Sequence, residues 1–117
     1  PLYAMMMTSV DSLKLRARRL GRQLRAAGVP ARGRGTRAAI GGGTTPDETV
    51  ASYGLSVPGG QRLADRLRAV EPPVVARIEA DEVVLDLRTV SADQERHLVQ
   101  AIVAAYSGIQ ASHDGGA

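Results

Sequence analysis

The sequence predicts an α+β domain in which a small antiparallel sheet carries helices packed on one side. Three observations predict it. Apolar residues recur at helical spacing over residues 13–27 and 98–105, and they alternate at strand spacing over residues 50–57 and 74–87. Glycine and proline clusters punctuate the chain between these stretches. The resulting order is helix, weak strands, helix, hairpin, helix, which fits a layer of helices on a sheet. At 117 residues the chain suffices for one domain, and folding at this size buries roughly two-thirds of the unfolded surface.

The first helix follows Thr8-Ser9-Val10-Asp11, a cluster of residue types that cap helix N-termini. Leu13, Ala17, Leu20, Leu24 and Ala27 then recur at steps of four and three, and Gly28 with Pro30 ends the run. Gly21 within this helix marks close packing. Lys14, Arg18, Arg22 and Arg25 form a second stripe on the same helix, away from the apolar one. Residues 28–48 read as loop or weak strands, since glycines, prolines and Arg32, Arg34 and Arg37 leave no apolar periodicity. Ala51, Tyr53, Leu55 and Val57 then line one face of a strand that ends at Pro58-Gly59-Gly60. Leu63, Leu67 and Val70 describe a short helix stopped by Pro72-Pro73.

A hairpin turning at Ala80-Asp81 sets position 78 opposite 83, 76 opposite 85 and 74 opposite 87. All six positions are apolar and fall on one face, which fixes the register. Arg77 and Asp86 fall diagonally on the other face, within reach of an ion pair. Ser91-Ala92-Asp93-Gln94 has the form of a capping box. Leu98, Ala101, Ile102 and Ala105 continue as the buried face of the last helix. The domain is expected to span residues 1–106, with residues 107–117, small and polar, as a flexible tail.

Composition excludes several chemistries. With no cysteine there are no disulfides, zinc–thiolate sites, iron–sulfur clusters or thiol catalysis. Three tyrosines are the only aromatic residues, so Leu, Val, Ile and Ala must fill the core. No apolar run reaches the ~18 residues that span a bilayer, and the first residues lack the order of a signal peptide. A cytoplasmic protein without membrane contact is expected. Residues 1–37 hold nine Lys/Arg against Asp11, whereas the other 80 residues hold six Arg against eleven acids. That polarity predicts a basic patch facing a polyanion or an acidic surface. A first residue of Pro1 predicts a processed or excised piece of a longer chain.

No residue pattern carries a reaction by itself. His97 and His113 have no second ligand at metal-binding spacing, and no nucleophile elbow surrounds any serine. Gly41-Gly42-Gly43-Thr44 reads as a tight turn or an anion cradle, but lacks the lysine of a P-loop. The basic stripe of the first helix fits phosphate contacts, a solvated face or docking on an acidic domain. Arg77 and Arg88 stand on the hairpin, where they serve salt bridges or present a guanidinium to an anionic ligand.

Residues 73–90, PVVARIEADEVVLDLRTV, resemble the closing segment of bacterial selenocysteine synthases, the L-seryl-tRNA(Sec) selenium transferases. Pro73, Val74, Arg77, Ile78, Glu79 and then Leu85 to Val90 fill that pattern. Gly41-Gly42-Gly43 with Pro46 is similar to the family's middle glycine segment. The resemblance implies the C-terminal small domain of a fold-type-I pyridoxal-phosphate enzyme. Such an enzyme converts seryl-tRNA(Sec) to selenocysteinyl-tRNA(Sec) with selenophosphate, in the cytoplasm, as a homo-oligomer. It further implies that pyridoxal 5'-phosphate is held in the full-length parent by a large domain, the partner of this one. The family's Schiff-base lysine lies in that large domain, whereas Lys14 is the only lysine here and follows Leu13. The fragment alone is therefore not expected to be catalytic, to hold the cofactor or to bind a metal. By analogy with the fold type, Arg88 and Arg77 are the candidate substrate-binding residues. The alternative is a free-standing basic RNA-binding or protein-interaction module.

Overall fold

Ser9 opens helix α1 (Val10–Ala26) by accepting the Ser12 backbone N–H at 3.1 Å in a computed structural model that describes residues 9–39, 49–74 and 76–115. Leu13, Ala17, Leu20 and Leu24 are buried as their spacing predicts, while Ala27 is exposed at the C-cap. Gly21 is buried, and a Cβ there would stand 2.9 Å from the Arg25 guanidinium.

Strand β1 (Arg32–Ala39) corrects the reading of residues 28–48 as loop or weak strands. It is eight residues long and pairs antiparallel with β2 (Thr49–Pro58), from Arg32↔Ser56 to Ala39↔Thr49. The strand was hard to read because arginine alternates with glycine in it, so neither face is apolar. On β2, Leu55 and Val57 are fully buried and Tyr53 packs against the core, whereas Ala51 is exposed. Gly59 and Gly60, at φ of +147° and +56°, turn the chain into helix α2 (Gly60–Ala69), which buries Leu63, Ala64 and Leu67.

The hairpin joins β3 (Arg77–Glu79) to β4 (Glu82–Asp86). Ala80 and Asp81 take φ of +51° and +67°, the paired left-handed residues of a two-residue hairpin loop. The predicted register holds at Ile78↔Val83, but the ladder stops after three pairs. Position 74 does not face 87, nor 76 face 85. Val74 donates its N–H to the Leu67 carbonyl at 2.9 Å, which draws the chain toward the end of α2 and out of the ladder. Leu85 instead pairs with Leu55 of β2, and Leu87 begins a 3₁₀ turn (Leu87–Thr89). Val74, Val83, Leu85 and Leu87 are still buried, while Ile78 at the edge is 38% exposed.

The sheet order is β1-β2-β4-β3, antiparallel throughout. The three helices of the described residues share one core with Leu55, Val57, Val83, Leu85 and Leu87 of the sheet and its following turn. Gln94 Oε1 accepts the Ser91 N–H at 3.0 Å, closing the predicted capping box over a 3₁₀ turn (Ala92–Gln94). Helix α3 (Glu95–Gly115) then continues well past Tyr106 and buries Ile109, so the expected tail at 107–117 is helical as far as Gly115. No helix among the described residues is long and apolar enough to cross a membrane.

Candidate functional site

Opposite the leucines, the sheet rolls around a polar face. Ser52 and Ser56 of β2 are 3% and 0% exposed on that side. Cα atoms of β1 and β4 come within 8 Å although β2 lies between them. Two flat strand spacings would hold them about 9.6 Å apart. Gly54 allows this close approach, since a Cβ there would fall 1.9 Å from the Leu85 carbonyl oxygen. Side chains then bridge the roll. Arg34 of β1 reaches Glu79 of β3 at 2.8 Å, and Arg32 reaches Glu82 of β4 at 2.9 Å.

Asp86 joins the strands of this face. It accepts the Ser52 hydroxyl at 2.6 Å, the Thr36 hydroxyl at 3.1 Å and the Arg88 backbone N–H at 2.9 Å. The predicted Arg77–Asp86 ion pair is absent, because hydroxyls from β1 and β2 occupy that carboxylate. Arg88 is only 7% exposed; it donates to Ser52 Oγ at 3.3 Å and to the Ala51 carbonyl at 2.8 Å. Arg77 is exposed and donates to Glu79 at 3.2 Å and to the Arg37 carbonyl at 3.1 Å.

Arg37 and Ala51 are cross-strand partners, so Arg77 and Arg88 hold the two carbonyls of one pair. The structure thus brings both candidate arginines to the same end of the sheet. They are not equivalent there: Arg77 lines an open groove of about 450 Å³ with Gly35, Thr36, Arg37 and Glu79, and Arg88 does not. At the other end of the face, the Ser56 hydroxyl holds the Glu82 carboxyl below its ordinary value against the pull of burial, helped by Arg32.

The remaining candidates part company. His97 Nε2 lies 2.8 Å from the Pro72 carbonyl oxygen, and no group of His, Asp and Glu able to hold a metal exists among the described residues. The side chain of His113 and the Gly41-Gly42-Gly43-Thr44 run lie outside the described residues. Lys14 does not fit pyridoxal phosphate. Its side chain is exposed, and its ammonium stands 5.7 Å from the Tyr53 ring centroid in a cleft of only about 180 Å³. No step through that cofactor is drawn from these residues.

Sequence reasoning missed Thr36, Ser52 and Asp86 as one cluster. Ser52 and Ser56 carried the only signal, as hydroxyls alternating with the apolar residues of β2. It also missed Glu95, whose carboxylate takes Arg16 at 2.6 Å and Arg19 at 3.0 Å.

Fold and site define a two-layer α+β domain whose open sheet face is a lattice of arginines and carboxylates. A model of the L-seryl-tRNA selenium transferase family matches residues 1–91. The L-seryl-tRNA(Sec) selenium transferase of Hyphomonas neptunium is 35% identical over 99 residues, covering 76% of this chain and 20% of that protein. That of Desulfotalea psychrophila is 34% identical over 106 residues, covering 80% and 22%. That of Moorella thermoacetica is 31% identical over 120 residues, covering 92% and 24%. The chain belongs to the L-seryl-tRNA selenium transferase family, and it spans about a fifth to a quarter of the length of these relatives.

Proposed function

We propose that this chain acts as the C-terminal small domain of an enzyme that converts seryl-tRNA(Sec) to selenocysteinyl-tRNA(Sec) with selenophosphate. The family match over residues 1–91 carries this reading. The partner is a large domain that holds pyridoxal 5'-phosphate, in a cytoplasmic homo-oligomer, and the isolated chain does not turn over. A single lysine, exposed on α1, supports that division of labour, because the chemistry of this cofactor uses a lysine that reaches its aldehyde carbon.

The rolled face is the side turned toward the substrate. Arg77, exposed at the groove, meets the anionic group, and Arg88 binds from behind while fixing Ala51 and Ser52. A rigid strand end presents a guanidinium at low entropic cost, and phosphate-type oxygens suit its planar fork.

The test is a chimera. The chain replaces the matched segment of the Hyphomonas neptunium transferase in cells lacking their own enzyme, and radioactive selenium incorporation into protein is read. We expect incorporation to be restored, and to fall about tenfold or more with Arg77→Ala. A soluble, assembled chimera without incorporation would refute the domain reading. Full activity of Arg77→Ala would refute only the arginine's role.

A further inference from the structure

We propose that the cleft between α1 and the first two strands binds a phosphate group. The cleft, of about 180 Å³, is lined by Lys14, Ala17, Arg18, Arg25, Gly33 and Tyr53. It lies on the helix-bearing side of the sheet, away from the rolled face. Three of the six lining residues are cations and none is an acid. Lys14 and Arg18 are spaced i,i+4 on one helix, where like charges repel slightly, so an anion seated between them is favoured.

The donors are also uncommitted. Lys14 and Arg18 have no ion pair, and the Tyr53 hydroxyl has no hydrogen-bond partner, among the described residues. Arg25 commits one nitrogen, Nη1, to the Ala31 carbonyl at 2.7 Å, which fixes the guanidinium and leaves its other N–H groups open. Lys14 stands over the Tyr53 ring at 5.7 Å, which places the ammonium beside the phenol. Gly33 lets the Tyr53 ring lie directly on β1, since a Cβ there would come 2.8 Å from the Tyr53 hydroxyl oxygen, and this fixes where the phenol O–H stands in the cleft. A lysine, two arginines and a phenol O–H around a space of this size suit a tetrahedral oxyanion.

The phosphate comes either from a small phosphate compound or from an RNA backbone, and one titration separates them. The 117-residue chain, labelled with ¹⁵N, is titrated with inorganic phosphate and then with a short unstructured RNA, while amide shifts are followed. Saturable shifts at Gly33, Tyr53 and the Lys14–Arg18 turn are expected. Shifts with inorganic phosphate indicate the small-molecule source, and shifts with RNA alone indicate the backbone.

In either case the double variant Lys14→Gln/Arg18→Gln weakens binding about tenfold or more and, for RNA, lowers the salt slope by about two. Tyr53→Phe, which keeps the ring in the core, weakens binding about threefold. Absence of shifts with both ligands would overturn the proposal. So would shifts centred elsewhere, or affinity unchanged in both variants. The readout is binding to this chain alone, so its failure leaves the proposed selenium-transfer role standing, and the converse holds.

Discussion

The two flanks of α1 carry the same residue types and put them to opposite uses. On the flank facing α3, Arg16 and Arg19 converge on Glu95, whose side chain is 10% exposed. Arg16 also donates to the Leu87 carbonyl at 3.2 Å and to that of Val90, holding the 3₁₀ turn against the helix. On the flank facing β1 and β2, Lys14, Arg18 and Arg25 surround a cleft with no acid in its walls. A charge that has been matched and buried serves the fold. A charge left in solvent beside others of its sign contributes little to folding, so such a group is free for a ligand.

The largest effect should come from breaking the matched flank. Glu95→Ala leaves Arg16, 20% exposed, without its carboxylate. An unpaired, mostly buried cation typically costs about 3 kcal/mol, and loss of that size is expected in urea unfolding. Arg16→Ala should follow at about 2 kcal/mol, since Arg19 still pairs with Glu95 but the turn at Leu87–Val90 loses its two clamps. A stability unchanged in both variants would place these arginines with the idle ones.

The same flank sets a pH dependence. Burial by itself would raise the Glu95 carboxyl, but the Arg16 and Arg19 guanidiniums outweigh it and hold it below the ordinary 4.5. A depressed folded value means that the contribution is complete above the unfolded value and is lost as pH falls through the folded one. The stability gap between wild type and Glu95→Gln should therefore shrink as pH falls from about 6 to about 3, read as urea midpoints. Glu82 and Asp93 are also held below their ordinary values, by the Ser56 and Ser91 hydroxyls, which is why the difference between the two proteins is the quantity to follow.

What was legible in the sequence follows from the same contrast. The apolar stripes of α1 and α3, the alternation of β2 and the turn at Ala80-Asp81 were all legible, because burial of leucine and valine leaves a period in the sequence. Strand β1 was not: Arg32, Gly33, Arg34 and Gly35 write no such period, because neither face of the strand there buries an apolar side chain. Nor could local spacing show that Glu95 meets Arg16 across 79 positions, or that Asp86 collects hydroxyls from two strands instead of Arg77. The basic stripe was visible, but its division into paired and unpaired flanks depends on where α3 and β2 lie in space.

The smallest expected effect is the sharpest test of that division. Lys14→Gln/Arg18→Gln removes two charges that have no carboxylate to lose, so nothing buried is orphaned. The pair is spaced i,i+4 on a helix, where like charges cost a few tenths of a kcal/mol. Stability should thus stay within about 0.5 kcal/mol of wild type, with any change toward greater stability. A loss above about 1 kcal/mol would show that these side chains hold the fold by packing along their stems over Tyr53, and the contrast between the flanks would collapse. The predicted neutrality has a further use, because a variant this close to wild type in stability reports ligand binding at the cleft without confusion from unfolding.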